Sequence, residues 1–293
     1  MLVAIVLNYN DFQSTIQFIT NIKKYNAIDK IIAVDNCSSD GSYGKLKILC
    51  DEKIDVIVTP YNGGYAKGNN FGIKYAEKIY HPEYIMVANP DIFVLERTIT
   101  NLINYLNNHE NVALVSGIMC DKEGEIKKNF ALKLPNYIDI LISCSIITLI
   151  FSKLILNKSI LYDFNDINKN HGLNVGVVPG SFFIIKDKSI REINYFDENT
   201  FLYCEEYILS YKLKMRNMEL HILPTEKYIH YHSVSIDKSI KSWIRKQKIN
   251  EKSHIVFLRD YLKLSEVKIM IYRIINKIGI YSNYIIFKLF RKI

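Results

Sequence analysis

YIMVANPD, Tyr84 to Asp91, is the stretch whose reading decides the fold. Ile85 to Ala88, led by Tyr84, are apolar or small and read as a buried strand. Pro90 fixes its own φ and has no backbone N–H, so the ladder stops there. Asp91 therefore falls just beyond the carboxyl end of a buried strand, the edge where open α/β sheets bind ligands. A carboxylate held there can grip a hard cation, and that cation can grip a diphosphate. A plainer alternative fits the same residues: a strand, a type I turn, and Asp91 as a helix N-cap. The surrounding sequence has to decide between them.

Working outward, roughly the first 115 residues alternate strand-like and amphipathic runs, the βαβ signature of a parallel sheet. Strands are expected at Val3–Leu7, Ile31–Val34, Val56–Val58, Tyr84–Ala88 and Val112–Val115. Helices are expected near Phe12–Lys24, Ser42–Leu49, Ala66–Ile79 and Thr98–Asn107. A spacing of ~25 residues leaves room for one crossover helix between successive strands. Further on, Val175–Ile185 reads as strand, and a helix is expected to begin around Cys204. No solenoid repeat is visible.

Composition narrows the class. The chain has 293 residues, 49% hydrophobic and 23% charged, which fits a globular core rather than disorder. Its start, LVAIVLN, enters a strand without a basic leader or cleavage site, so no signal peptide is expected. Cys37, Cys50, Cys120, Cys144 and Cys204 are scattered and odd in number. That argues against a disulfide framework or a zinc site and for reduced thiols in the cytoplasm. The net charge of +8 is uneven: from Lys238 onward 14 Lys and Arg face 3 acidic residues. The rest carries 24 basic and 27 acidic groups, so the positive charge belongs to the tail.

The run LISCSIITLIF, Leu141 to Phe151, is uncharged but only about half the ~20 residues a bilayer span needs. We read it as a buried helix, with a lipid- or acceptor-facing flap as the alternative. Residues 267–293 plot as a helix on which Arg273, Lys277, Lys288, Arg291 and Lys292 share an arc of ~100°, Lys268 lying outside it. Ile, Tyr, Phe and Leu fill much of the remainder, and Gly279 is a point of interruption. Such a helix fits an anionic membrane surface; a subunit contact or core packing is the alternative. No nucleic-acid-binding module accompanies the charge, so nucleic acid is not an expected partner.

Four strand ends in succession carry hydrogen-bonding groups. They are Asn8-Tyr9-Asn10, then Asp35 through Ser42 (DNCSSDGS), then Asn62 through Asn70 (NGGYAKGNN), and Asn89-Pro90-Asp91. Asp35 can accept from a nucleobase N–H or a ribose hydroxyl. The glycines of the third loop, Gly64 among them, permit close backbone approach, and the helix beyond can point N–H groups at an anion. Taken singly, these loops are ordinary turns and caps. The third is neither a Walker A loop nor a GxGxxG fingerprint.

As an ordered set, NYN, VDNCSSDGS, NGGYAKGNN and NPD resemble the nucleotide-sugar half of the family 2 glycosyltransferases. The closest likeness is to their bacterial rhamnosyltransferase-like branch. PGSFFIIKD (Pro179–Asp187), FDENTFLYCEEYILSYKLK (Phe196–Lys214) and IHYHSVS (Ile229–Ser235) extend the likeness in the family's order, over roughly residues 3 to 236. The resemblance implies a GT-A fold: α/β, with a Rossmann-like, mostly parallel sheet flanked by helices. Residues 1–236 would form the transferase domain, with 1–115 binding the nucleotide sugar and 116–236 holding acceptor and catalysis. Residues 237–293 would be a basic helical extension at a membrane surface or an oligomer contact.

The resemblance also implies roles. Asn8, Asn10, Asp35, Asn62, Gly64, Asn69, Asn89 and Asp91 would line the donor site. Asp91 would ligate Mg2+ or Mn2+ with His230, to which His232 is a close rival; Asn89 stands where the first acid of the family's DxD element is usual. Glu206 would be the general base and Glu205 its supporting carboxylate, although Glu replaces the usual Asp and Ile208 a further one. Two acids in a helix's first turn also serve as a plain cap. The implied activity is inverting, metal-dependent hexosyl transfer from dTDP-rhamnose or a UDP-hexose to a lipid-linked glycan acceptor. That chemistry builds cell-surface polysaccharide such as capsule, at the inner face of the cell membrane. Two other readings compete: an inactive nucleotide-sugar-binding partner subunit, and a sugar-phosphate nucleotidyltransferase, whose glycine-rich basic first loop is absent between Leu7 and Asp11.

Overall fold

The computed structural model describes residues 1–155, 159–166, 171–231 and 242–289. Four parallel strands form its first half: β1 (Leu2–Asn8), β2 (Lys30–Asp35), β3 (Ile54–Val58) and β4 (Tyr84–Ala88), side by side as β3-β2-β1-β4. Leu2 to Val6 and Ile31 to Val34 are buried. Strands covered on both faces need such continuous apolar runs rather than alternation. Between them run α1 (Phe12–Ile22), α2 (Ser42–Lys47) and α3 (Gly64–Tyr80); α4 (Glu96–Asn108) follows. The sequence placed all four helices within two residues of these bounds. Because the strands are parallel, the ends of β1 to β4 open on the same edge of the sheet.

The second half is mixed. After β5 (Ile92–Val94) come β6 (Val112–Cys120), β7 (Leu173–Asn174), β8 (Phe182–Lys186) and β9 (Glu219–His230). The sheet continues from β4 as β8-β6-β9-β5, with β7 against β9. β8 lies antiparallel between β4 and β6, so the strand at Val112 does not extend the parallel series beside β4. Parallel pairing returns only between β6 and β9. Of the expected strand Val175–Ile185 only Phe182–Ile185 is strand, as part of β8; β7 precedes it, and a turn through Gly180 leads into β8.

β9 escaped the sequence reading because it carries Pro224 and Glu226 in its middle. Its register against β6 jumps from Gly117↔Leu223 to Ile118↔Lys227. The proline sits in that bulge, where no ladder donor is required. Glu226 turns inward and is buried, accepting from Thr98 Oγ1 at 2.8 Å and from Asn101 Nδ2 at 2.7 Å on α4. A charged residue that looked solvent-facing thus ties a helix to the bulge.

A smaller apolar cluster joins α5 (Tyr137–Ser143), α8 (Glu205–Lys214) and the C-terminal segment: Ile140, Cys144, Ile208, Phe257, Leu258, Ile269 and Tyr272. That segment comprises α9 (Trp243–Val256), a π-helical turn at Phe257–Tyr261, and α10 (Glu266–Leu289). Gly279 does not interrupt α10. A Cβ there would lie 2.1 Å from the Cys144 carbonyl oxygen, so glycine is what lets α10 cross α5 closely. The expectation of a buried helix over Leu141–Phe151 is corrected as well. The run breaks at Cys144 into α5 and α6 (Ile146–Ile155), and Ile147, Leu149, Ile150 and Phe151 of α6 are exposed. No helix among the described residues is long and apolar enough to cross a membrane. All five cysteines are free thiols.

Replacing Glu226 by Ala leaves the buried Thr98 hydroxyl and the half-buried Asn101 amide without this acceptor. The expected loss is about 1–3 kcal/mol of unfolding free energy, read from a urea titration. A variant as stable as the parent would show that the bulge does not depend on this carboxylate.

Candidate active site

The strand-end loops are knitted together by buried amides and carboxylates. Asn8 is inaccessible to solvent; its Nδ2 donates to Asp35 Oδ1 at 2.7 Å and to Ser38 Oγ at 3.1 Å, and its Oδ1 accepts from Thr15 at 2.8 Å. Asp35 is also buried, and its Oδ2 accepts from the Ser38 N–H at 3.0 Å. Asn10, at a φ of 53°, receives the Ser39 N–H on its side-chain oxygen at 2.8 Å. The first two loops are therefore one hydrogen-bonded unit, and Asn8 faces the carboxylate of Asp35 rather than solvent.

Asn36 extends this unit to the third loop. Its Nδ2 donates to Asn62 Oδ1 at 3.0 Å and to the Gly64 carbonyl at 3.1 Å, while its Oδ1 accepts from Thr59 at 3.1 Å. Asn62 Oδ1 also accepts from the Gly64 N–H at 3.0 Å. Asn69 is buried and braces the first turn of α3 by donating to the Tyr65 carbonyl at 3.0 Å. Gly64 has a φ of 83°, and a Cβ there would sit 2.0 Å from the Phe201 carbonyl oxygen. Only glycine allows that approach. The neighbouring Tyr65 N–H donates to the same oxygen at 3.0 Å.

Tyr65 is the bridge to the second half. Its hydroxyl donates to the Gly180 carbonyl at 2.5 Å. The next residue, Ser181, accepts the Asn89 N–H on its carbonyl at 2.8 Å and shares a 2.8 Å hydrogen bond with Tyr228 through its Oγ. Beyond Asn89, Asp91 is buried at 7% exposure, and His230 Nε2 lies 3.3 Å from its Oδ1. The backbone enforces this pairing: β5 begins opposite His230, and the Tyr231 N–H donates to the Asp91 carbonyl at 2.9 Å. His232 lies outside the described residues.

A carboxylate and an imidazole side by side suit a divalent cation, with further positions left for phosphate oxygens and water. No group of three His, Cys, Asp or Glu side chains that could hold a metal occurs among the described residues.

Glu205 and Glu206 open α8. The two preceding residues, Tyr203 and Cys204, both adopt positive φ, of 73° and 65°. Non-glycine residues held in that region mark a backbone fixed by its surroundings. Glu205 is buried and its Oε1 has no hydrogen-bond partner among the described residues. Burial first, then the Glu206 carboxylate beside it, push the Glu205 carboxyl up to about 8. Burial also raises Glu206, against the lowering pull of its own backbone N–H at the helix N-terminus. Both carboxyls of the pair are thus raised above the ordinary carboxylate range. No direct hydrogen bond links Glu206 to Asp91. They are connected through Phe201, Tyr65, Gly180, Ser181 and Asn89.

Asn36, Tyr65, Ser181 and Tyr228 were not singled out from the sequence. The first three lie inside quoted motifs, but burial of a polar side chain is not marked by residue type. Tyr228 lies in the unforeseen β9.

Residues 3–193 match the model of glycosyl transferase family 2. Rhamnosyltransferase WbbL of Escherichia coli K12 is 25% identical over 171 residues, covering 57% of this chain and 61% of its own length. The low-salt glycan biosynthesis hexosyltransferase Agl10 of Haloferax volcanii is 24% identical over 218 residues, 74% of this chain and 62% of that protein. The match thus spans less than two thirds of either relative. Among solved structures, S. aureus TarS in complex with UDP-GlcNAc superposes with a TM-score of 0.54 at 15% identity, covering 88% of this chain and 66% of that one. The mannosyltransferase PcManGT from Pyrobaculum calidifontis, in complex with GDP-Man and Mn2+, gives 0.54 at 11% identity over 97% of this chain and 81% of that one. These likenesses identify the fold as GT-A. The family match takes in every strand-end loop from Asn8 to Asp91 and the Ser181 turn that Tyr65 reaches, and on that match the chain belongs to glycosyl transferase family 2.

Proposed function

We propose that this chain is an inverting glycosyltransferase. It moves a sugar from a nucleoside diphosphate donor, dTDP-rhamnose or a UDP-hexose, to a hydroxyl of a lipid-linked glycan acceptor. The product would be cell-surface polysaccharide, made at the cytoplasmic leaflet. One observation carries the reading: Tyr65, in the third strand-end loop, hydrogen-bonds both the Phe201 carbonyl ahead of Glu205 and Glu206 and the Gly180 carbonyl beside Ser181. A loop suited to a donor is thus fastened to the turn that carries a carboxylate suited to accept a proton. The UDP-GlcNAc bound to TarS and the GDP-Man and Mn2+ bound to PcManGT support a donor and a cation of this type.

In this reading Asp35 receives the base or ribose, and Asn8 acts through Asp35 by holding its carboxylate. Asn10, Asn62, Gly64 and Asn69 set the shape of the loops around the nucleotide, and Asn89 closes the pocket beside Ser181. Asp91 and His230 would hold Mg2+ or Mn2+. Bound there, the cation would neutralise charge growing on the departing diphosphate. Glu206 takes the proton of the acceptor hydroxyl as that oxygen bonds to the anomeric carbon. The bond from that carbon to the diphosphate breaks, and its electron pair leaves with the diphosphate. A single displacement inverts the anomeric configuration. Glu205, protonated, spares the site a second negative charge next to the base.

Replacing Glu206 by Gln should lower sugar transfer by about 10²–10⁴-fold, while donors with Mg2+ or Mn2+ still raise the melting temperature. Near-normal turnover by that variant would refute the assignment. Donor binding without any transfer by the parent chain would instead favour a partner subunit that only binds nucleotide sugar.

Glu205 generates a pH dependence of stability. Its folded pKa lies above that of an unfolded chain, ~4.3. The folded state therefore keeps a proton that the unfolded state releases, and stability falls as pH rises from ~4.3 toward about 8. Glu205→Gln should remove this component, so the variant gains on the parent in melting temperature between pH 5 and pH 9. Parallel pH curves for the two proteins would contradict a buried, protonated Glu205.

A further inference from the structure

α10 has two apolar faces, and only one is packed. Ile269, Tyr272 and Gly279 form the inner stripe against α5 and the π-helical turn. Plotted at ~100° per residue, Ile271, Ile274, Ile278, Tyr281, Ile285 and Leu289 fall within an arc of ~80° on the far side of the helix. All six are exposed, Ile278 at 64% and Leu289 at 75%. A surface helix of a water-soluble domain puts charge on that side. Here the cations Arg273, Lys277 and Lys288 line one flank of the apolar arc, and Lys268 stands on the other.

α6 repeats the pattern. Ile147, Ile150, Phe151 and Leu154 follow i, i+3, i+4, i+7 spacing and are exposed, Leu154 at 76%, while Ser152 on the opposite side is buried. The two helices are fastened together. Asn283 Oδ1 accepts the Ile146 N–H at 2.9 Å, and the hydroxyls of Ser145 and Ser282 lie 3.1 Å apart. Trp243, the chain's only tryptophan, meets Tyr284 of α10 with ring centroids 6.2 Å apart. Aromatic rings with polar edges, such as Trp243, Tyr281 and Tyr284, suit the boundary between lipid and water.

We propose that α6 and α10 together form a monotopic membrane platform. The two helices lie in the plane of an anionic bilayer, with their outer isoleucine-rich faces among the upper acyl chains and the flanking cations at the headgroups. Arg273 and Lys277, midway along α10, exclude a spanning orientation for that helix. Charge selects the occupant: residues from Lys238 onward carry a net +11, which attracts anionic lipid and repels a second copy of the same segment. The inner face of α10 belongs to the same apolar cluster as Ile208 on α8, the helix that begins with Glu205 and Glu206. The platform thus deepens the proposed lipid-linked acceptor by holding the carboxylate pair close to the membrane, and in that respect it rests on the reading above.

The test uses the full chain and vesicles of phosphatidylcholine with or without about one third phosphatidylglycerol. The protein should co-sediment with the anionic vesicles, and Trp243 emission should shift to the blue on binding. Ile274→Glu with Ile278→Glu, and separately Phe151→Glu with Leu154→Glu, should each weaken vesicle binding at least tenfold. Both pairs are exposed, and an unchanged donor-induced thermal shift checks that the variants fold. Arg273→Glu with Lys277→Glu should abolish the preference for anionic lipid. Absence of vesicle binding by the parent, or full binding by both apolar-face variants, would overturn the platform. So would a dimer in sedimentation velocity that the Ile274 and Ile278 changes dissociate while vesicles are ignored. A donor-induced thermal shift that persists in any of these cases leaves the transferase reading standing, so the two failures are distinguishable.

Discussion

The arrangement turns on one close approach, where Gly64 meets the carbonyl of Phe201. These residues are far apart in sequence, one opening α3 in the parallel half and the other in the loop before α8. A methyl group at position 64 would overlap the carbonyl outright, and the φ of 83° independently disfavours any other residue. The gap is closed by the Tyr65 N–H, which donates to the same oxygen. Together with the paired hydrogen bonds between Asn70 of α3 and the Phe196 backbone, this contact sets where the Glu205–Glu206 turn stands relative to the strand-end loops. The glycine is therefore a positional requirement more than a local turn preference.

Two kinds of buried carboxylate occur around this contact, and their surroundings separate them. Glu226 lies between donors from Thr98 and Asn101 and tethers α4. Asp35 is likewise satisfied, by Asn8 and the Ser38 N–H. Glu205 has a buried oxygen with no partner among the described residues and a second carboxyl beside it. Burial without donors favours the neutral form, whereas burial with donors favours the charged one. The two positive-φ residues ahead of Glu205 fit the same economy, since strain tolerated at that turn fixes where the pair stands.

What the sequence disclosed follows from how local each signal is. β1 to β4 and the four early helices were legible because parallel strands buried on both faces leave long apolar runs, and crossover helices leave amphipathic ones. The glycine of the third loop and the Asn89–Asp91 turn were legible as motifs. β9 was not, since Pro224 and Glu226 contradict a central strand until the bulge is known. Asn36 and Tyr65 were hidden for another reason: their importance is a matter of partners 23 to 136 positions away, which no window of sequence contains. The error at Leu141–Phe151 was of a third kind. An uncharged run was assigned to a core, but apolarity does not say which medium covers it.

That last distinction also changes how the C-terminal segment is understood. Its basic composition alone describes a tail attached to a finished domain. The contacts describe something more integral. Ser253 Oγ donates to the Leu202 carbonyl at 2.8 Å and Tyr261 donates to Asp197 at 2.5 Å, so α9 and the π-helical turn grip both ends of the loop that delivers Glu205 and Glu206. Tyr137 on α5 reaches the Lys268 carbonyl of α10 at 2.8 Å. Whatever medium covers the outer face of α10 is therefore mechanically linked to the carboxylate pair through its inner face. A helix apolar on both sides can serve a core and a surface at once. In this chain the core side lies against α5 and the π-helical turn, and that turn packs in one cluster with Ile208 of the helix whose first turn holds the acid pair.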